Sequence, residues 1–376
     1  MEKTASIMSK ILLCMIASAA AVISCLYLML PREISVEAGA ECGGSFFGID
    51  LMQTDDGIEY RYGSIPIKTV SATPCERPML IPCGTPFGIK LRTSGVITVS
   101  VTENSPAEHS GIREGDVIIS VNGEPVNSNS EISSAIQLCP EECEIILRRK
   151  NSERHVSLEP YSDCGIYKIG IWVRDSAAGL GTMTYCDPLT DTYGGLGHPV
   201  SDMTTGELMP LNSGEITTAL ITGAVKGESG TPGELCGTLL SEECIGTLQY
   251  NTECGIFGAT SAIPEDAAAV PMAFRQEVHT GPATILATVD GCTPQEYDIE
   301  IQHINICDME SSKSMVIRIT DPELIEKTGG IVCGMSGSPI IQDGRLAGAV
   351  THVFLNDPTR GYAVFCETML ETQLSQ

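Results

Sequence analysis

Cations are scarce in this chain of 376 residues: 22 Lys and Arg stand against 48 Asp and Glu, a formal charge of −26. Phosphate contacts need clustered cations, so a nucleic acid is not an expected partner. Aromatic residues are also few, at 5 %, while Gly reaches 38 and Pro 21. That balance predicts many turns and short strands. Charged residues make up 19 % and hydrophobic residues 42 %, which excludes a disordered acidic tail. From residue 160 onward no long amphipathic helix is legible. The length predicts two folded domains plus extra segments, at roughly 150 residues per domain. Of the residues left, cysteine is abundant, at 16. The spacings do not repeat like a small disulfide scaffold, and the chain is long enough to bury a core without staples.

The charge is uneven. Residues 161–376 hold 9 basic and 28 acidic residues, and so carry −19 of the total. At the other end, Ile11 to Leu30 runs 20 residues without a charge, with Lys3 and Lys10 before it. That is enough for a helix across the hydrocarbon layer, with the short tail in the cytoplasm and the rest exported. A cleaved signal peptide is the competing reading, but the run is long for one and no clean small-residue site follows. Residues 1–35 are therefore expected to be tail and anchor. Residues 36–80 are expected to be a linker with some strand content.

From 81 to 160 the pattern is more regular. Val96-Ile97-Thr98-Val99-Ser100-Val101 alternates like a strand. Ser105-Pro106-Ala107 opens a short helix, Asn122-Gly123 is a hairpin turn, and Asn129 to Leu138 reads as a helix. The string SPAEHSGIREGDVIISVNGEPV resembles a PDZ domain. Such domains take up peptide C-termini or extended segments by adding a strand to a sheet edge. The resemblance implies a carboxylate-binding loop at Pro86-Phe87-Gly88-Ile89, with Phe87, Gly88 and Ile89 as peptide-binding residues.

Residues 161–376 show many short, turn-bounded strands and suit two small β-barrels packed together. Their sharpest feature is Gly334-Met335-Ser336-Gly337-Ser338-Pro339. It resembles the nucleophile element of trypsin-like serine peptidases. A nucleophilic Ser needs a tight turn that exposes Oγ and aims backbone N–H groups at a developing oxyanion. The N–H groups of Gly334 and Ser336 are the implied donors. Gly227-Glu228-Ser229-Gly230-Thr231-Pro232 has similar spacing, but no apolar strand follows it, so Ser229 is expected to be a turn residue. Of six His, His198 stands out, because Gly194, Gly195 and Gly197 beside it let the backbone approach a second barrel. Asp202 and Asp321 are both candidates to orient it, and spacing does not choose between them. Cys139 and Cys143 make only a weak metal motif, and no metal site is expected. The cysteines are read mainly as reduced, buried residues.

Taken together, GGLGHPVSD and TGGIVCGMSGSPIIQDGRLAGAVTHVFLNDPTRGY resemble the SpoIVB peptidase family of endospore formers. The resemblance implies His198 as base, Asp321 as orienting acid and Ser336 as nucleophile, with no cofactor. It implies a mainly β fold: an N-terminal transmembrane helix, an α+β PDZ domain and a trypsin-like double-barrel peptidase domain. It also implies a sporulation protease in the space between forespore and mother cell. Such a protease cleaves itself and then a regulatory subunit of a membrane protease complex that activates a late sigma factor. Asp321 lies unusually close to Ser336 for a trypsin-like topology. The alternatives are an envelope quality-control protease of the high-temperature-requirement type, which carries its PDZ after the peptidase, and a non-catalytic PDZ adaptor.

Overall fold

The computed structural model describes every residue except 1, 40–42, 47, 55–56, 151, 264–266 and 307–310. It opens with the helix Glu2–Met29. The stretch Lys10–Leu28 of that helix has a mean hydropathy of 2.5 and is unburied, so it is long and apolar enough to cross a membrane.

Two closed six-stranded barrels follow from the strand pairing. The first joins Pro86–Val101, Leu211–Val225, Glu234–Thr252, Gly255–Thr260, Thr192–Gly195 and Ile171–Asp187, which pairs back onto Pro86–Val101. Phe87, Ile89, Met183, Tyr193, Ile216 and Ile256 fill its interior, and Phe87 meets Tyr193 edge-on at 6.1 Å. The second joins Gly281–Ala287, Gln295–Ile304, Met315–Ile319, Asp357–Phe365, Arg345–Phe354 and Pro339–Gln342. Gln295–Ile304 shows why sequence and barrel agree. Tyr297, Ile299 and Ile301 alternate inward, while Glu296, Asp298 and Glu300 face out. Part of the high acidity is thus carried on outward strand faces. The chain is mainly β, as expected.

The PDZ domain is not a separate bead before the peptidase. It is an insertion into the first barrel. The N-terminal half of Pro86–Val101 pairs with barrel strands, and its C-terminal half pairs with Val117–Val121 of the PDZ sheet. The chain returns through Ile171–Asp187, which pairs first with Val101 to Ile97 and then with Arg92 to Pro86. Two strands therefore belong to both units, and the expected boundaries at 81 and 160 do not divide the sheet. The PDZ keeps a core of its own around Ile118, Ile132, Ile136, Ile145 and Leu147. Its helix Asn129–Gln137 begins at a capping box made by Ser128 and Glu131.

The expected linker is also structured. Glu33–Glu37, Ile65–Cys75, Gly57–Tyr62, Ile49–Thr54 and Gly43–Phe46 form a five-stranded sheet. Its Ile34, Leu51, Tyr60 and Val70 share one apolar core with the second barrel. Arg77 ties the sheet down through Glu37 at 2.9 Å and Glu277 at 2.8 Å. Short β runs broken by Pro read as linker because their buried partner lies some 200 residues away.

Candidate active site

The turn at 334–338 sits at the seam between the barrels. The Thr182 N–H donates to the Ser336 carbonyl at 3.1 Å, Thr182 Oγ1 to the Gly334 carbonyl at 2.7 Å, and Thr184 Oγ1 to the Gly337 carbonyl at 2.8 Å. A strand of the first barrel thus clamps a turn of the second. On the other side, Gly337 N–H donates to the Val350 carbonyl at 2.7 Å. The N–H groups of Gly334 and Ser336 meet no acceptor among the described residues, and both residues line one pocket of about 500 Å³. Two unengaged N–H groups beside the Ser hydroxyl are what an oxyanion site requires.

His198 lines the same pocket. Leu196 and Gly197 before it both take the left-handed conformation. A Cβ on Gly197 would lie 2.8 Å from Thr351 Cγ2, so glycine is what lets this loop press against the second barrel. The His198 Nδ1 lies 2.8 Å from the Pro199 carbonyl, which only accepts, so Nδ1 carries the proton and Nε2 offers its lone pair. Burial lowers the His198 pKa below the usual histidine value, and the Pro199 bond offsets this only in part. The ring is therefore neutral at pH 7, the state in which an imidazole can accept a proton. The Ser336 hydroxyl donates to the Thr351 carbonyl at 2.7 Å.

Asp321 is not beside His198. Its Oδ1 accepts from the N–H groups of Glu323 at 2.9 Å and Leu324 at 3.0 Å, capping the helix Pro322–Thr328. Its other oxygen faces the Asp298 N–H at 3.4 Å. The expected orienting role gives way to a local one, for which Asp followed by Pro at the first helical position is a recognisable signal. Asp321→Ala should lower stability by about 1 kcal/mol and Asp321→Asn should restore most of it, read by thermal unfolding. A loss of turnover in Asp321→Asn at full stability would return the carboxylate to the site.

Asp202 lies closer, in the pocket lining, but its oxygens are taken. Oδ1 accepts from the Thr204 and Thr205 N–H groups at 2.9 Å, and Oδ2 pairs with Arg174. Burial pushes its pKa up, and these bonds more than reverse that, so it sits below the usual carboxylate range. Against the His198 ring lies instead His352, with ring centroids 5.0 Å apart.

The other candidates fall outside. Ser229 Oγ donates to the Asn356 carbonyl at 3.0 Å in an exposed turn. Partial desolvation of the thiol, although the residue as a whole is exposed, and the nearby Glu234 push the Cys333 pKa up, against thiolate chemistry. The reading of the cysteines as mainly buried is corrected. Fourteen described cysteines are free, but Cys164, Cys236, Cys244, Cys292 and Cys333 are exposed, as are Cys14 and Cys25 in the apolar helix.

The PDZ groove is also placed differently from the expectation. Phe87 and Ile89 are buried in the first barrel, and a Cβ on Gly88 would lie 2.2 Å from Leu239 Cδ2. No peptide reaches them there. The groove beside the helix Asn129–Gln137 is lined by Ile132, Ile136 and the segment Tyr167 to Val173, and holds about 370 Å³. Gln137 clamps that segment, donating to the Tyr167 carbonyl at 2.8 Å and accepting from its N–H at 3.1 Å. Ile169-Gly170-Ile171 stands where Phe87-Gly88-Ile89 was expected. Both are apolar-Gly-apolar triplets, but Phe87-Gly88-Ile89 lies inside the barrel strand Pro86–Val101, whereas Ile169 and Gly170 precede the strand that begins at Ile171. The groove strand continues without a break to Thr182 and Thr184 at the nucleophile turn.

Residues 97–149 match a PDZ domain. Over 68 residues the chain is 40 % identical to Serine protease HTRA1 of Xenopus tropicalis, covering 18 % of this chain and 15 % of that protein. Over 61 residues it is 39 % identical to Regulator of sigma-W protease RasP of Bacillus subtilis (strain 168), covering 16 % and 14 %. The chain thus spans only a small part of the length of these relatives. The active form of the Rv3671c protease from M. tuberculosis aligns over 53 % of this chain and 74 % of that one, at 15 % identity and a TM-score of 0.31. Residues 165–370, more than half of the chain, match the SpoIVB peptidase S55 family, and the chain belongs to that family.

Proposed function

We propose that the chain is a serine endopeptidase in which Ser336 is the nucleophile and His198 the general base. The observation that carries this reading is that His198, Ser336 and the unengaged N–H groups of Gly334 and Ser336 line one pocket at the barrel seam. In the first half-reaction Ser336 Oγ attacks the substrate carbonyl and its proton passes to His198 Nε2. The oxyanion forms against the two N–H groups, and His198 returns the proton to the leaving amine. Water, deprotonated by the same imidazole, then releases the acyl group. No step calls on a cofactor.

The finer reading rests on family membership. The enzyme is anchored by its N-terminal helix and exported into the space around the developing forespore. It cleaves itself, and then a regulatory subunit of the membrane protease complex that activates the late mother-cell sigma factor. The PDZ groove takes a peptide C-terminus or an extended segment of such a partner. Because the groove strand also clamps the nucleophile turn, a bound peptide acts on the same strand that holds Ser336. Mass spectrometry of the full chain expressed alone tests the self-cleaving reading. New termini are expected in the wild type and absent in Ser336→Ala. Equal cleavage in both would remove it. Broad digestion of unfolded proteins, without defined self-cleavage, would favour the quality-control alternative.

A further inference from the structure

Cations are scarce from residue 161 onward, and most are neutralised. Of the nine, five are held in ion pairs, by Asp163, Asp202, Glu367, Glu323 and Glu277. Three of the remaining four, Lys313, Arg318 and Arg360, gather on one outer face of the second barrel. Arg318 and Arg360 stand directly opposite each other on paired strands. Like charges in that position cost stability. The Arg360 guanidinium lies over the Phe354 ring at 5.2 Å, the Lys313 ammonium over the Tyr362 ring at 5.4 Å, and the two rings meet at 4.7 Å. The aromatic faces hold both cations without neutralising them. Two carboxylates are close in the pairing. Glu300 is opposite Arg318, and Asp357 accepts from the Thr359 N–H and hydroxyl. Neither pairs with Lys313 or Arg360, and the buried Arg360 Nε meets no partner among the described residues. A buried donor left unpaired is uncommon and asks for an acceptor. This face adjoins the pocket of Ser336 and His198. The Thr351 carbonyl receives the Ser336 hydroxyl, and the Thr351 hydroxyl donates at 2.7 Å to the Ser312 carbonyl, one residue before Lys313. The next residue, His352, sets its ring 5.0 Å from that of His198. Burial, His198 and Lys313 together bring the His352 pKa down to about 4, so the Lys313 charge is felt at the imidazoles.

We propose that Lys313 and Arg360 form a subsite for the carboxylate of an Asp or Glu in the peptide substrate, within about three residues of the bond that Ser336 cuts. This rests on the assignment of Ser336 and His198 above. The substrate class follows from sign and shape. A carboxylate accepts charge-assisted hydrogen bonds from guanidinium and ammonium groups, and the Arg fork matches its two oxygens. It also brings negative charge to Arg318 and Arg360, which otherwise repel each other. A Lys or Arg side chain in the same place would meet only like charge. The surroundings sharpen the choice. Residues 161–376 carry −19, so an acidic segment is repelled by most of the domain and attracted on this face. The preference is therefore for one acidic side chain at one place, and not for acidic peptides in general.

The test maps the cleavage of a mixed-sequence peptide library by mass spectrometry. It then measures kcat/KM for matched peptides that carry Glu or Gln at the selected position. The wild type is expected to select Asp or Glu at one position, and to favour the Glu peptide over the Gln peptide by about 10-fold in kcat/KM. That ratio should fall to about 1 in the double variant Lys313→Gln, Arg360→Gln, and should shrink in the wild type as salt is added. Lys327→Gln removes a cation from the helix Pro322–Thr328 instead and should keep the wild-type ratio. A merely structural role for the two residues would slow both peptides together and leave the ratio unchanged. If the double variant does not fold, Lys313→Gln decides, because Lys313 is exposed. A ratio lowered by about threefold supports the subsite, and an unchanged ratio overturns it. No acidic selection by the wild type, or equal rates for the two peptides, with Ser336→Ala inactive, overturns the subsite alone. No cleavage by the wild type, or equal cleavage by Ser336→Ala, overturns the peptidase reading and the subsite with it.

Discussion

Ser336→Ala is expected to abolish turnover, by about 10⁴-fold or more, with KM for a peptide little changed. The size follows from the division of labour in the pocket. Without Oγ no acyl-enzyme forms, and only the oxyanion donors and substrate binding remain. The Ser336 backbone is held by Thr182 and would not move, because the substitution removes one oxygen and no packing atom. Two other serines are internal controls. Ser338 is fully buried with an unpartnered Oγ, so Ser338→Ala should be neutral or mildly stabilising. Ser229 bonds to a loop carbonyl outside the pocket, so Ser229→Ala should leave kcat unchanged. Peptide turnover by the purified variants checks all three.

The second large effect is on folding. Gly337 takes φ +99°, and a Cβ there would lie 1.9 Å from the Thr182 carbonyl oxygen and 2.7 Å from the Leu196 nitrogen. Both are backbone atoms of the first barrel, so neither side can yield without separating the barrels. Gly337→Ala should therefore cost about 4 kcal/mol or more, a fall in Tm of roughly 10 °C. Gly344 provides the comparison. It takes φ +74° in the hairpin that follows, yet nothing lies within 4 Å of a Cβ there. Gly344→Ala should cost only about 1 kcal/mol, the strain of the left-handed backbone alone. Melting curves of the two variants separate close approach from backbone strain. If both lose the same small amount, the barrels do not meet at Gly337 as described.

The site was legible where local chemistry and tertiary placement coincide. The Ser336 turn and the His198 loop carry glycines whose purpose is close approach, and a sequence shows glycines directly. The alternation in Gln295–Ile304 likewise announces a barrel wall. What was not legible depends on pairing at a distance. Phe87-Gly88-Ile89 and Ile169-Gly170-Ile171 look alike until the strand partners are known. Asp321 is pointed to by the family resemblance although it lies unusually close to Ser336, and its local setting before Pro322 makes it a helix cap. Thr182 and Thr184 carry no local signal, because each meets the turn through a hydrogen bond to a residue far along the chain. The insertion of the PDZ into a barrel was hidden for the same reason. A strand that serves two sheets reads as one strand.

The most direct test of the account is covalent labelling of the folded, purified protein with a fluorophosphonate, followed by mapping of the modified peptide in the wild type and in His198→Ala. One labelled serine, Ser336, is expected in the wild type, with labelling at least about 100-fold slower once the proposed base is removed. Labelling at another serine, or labelling of Ser336 at the same rate without His198, would contradict it.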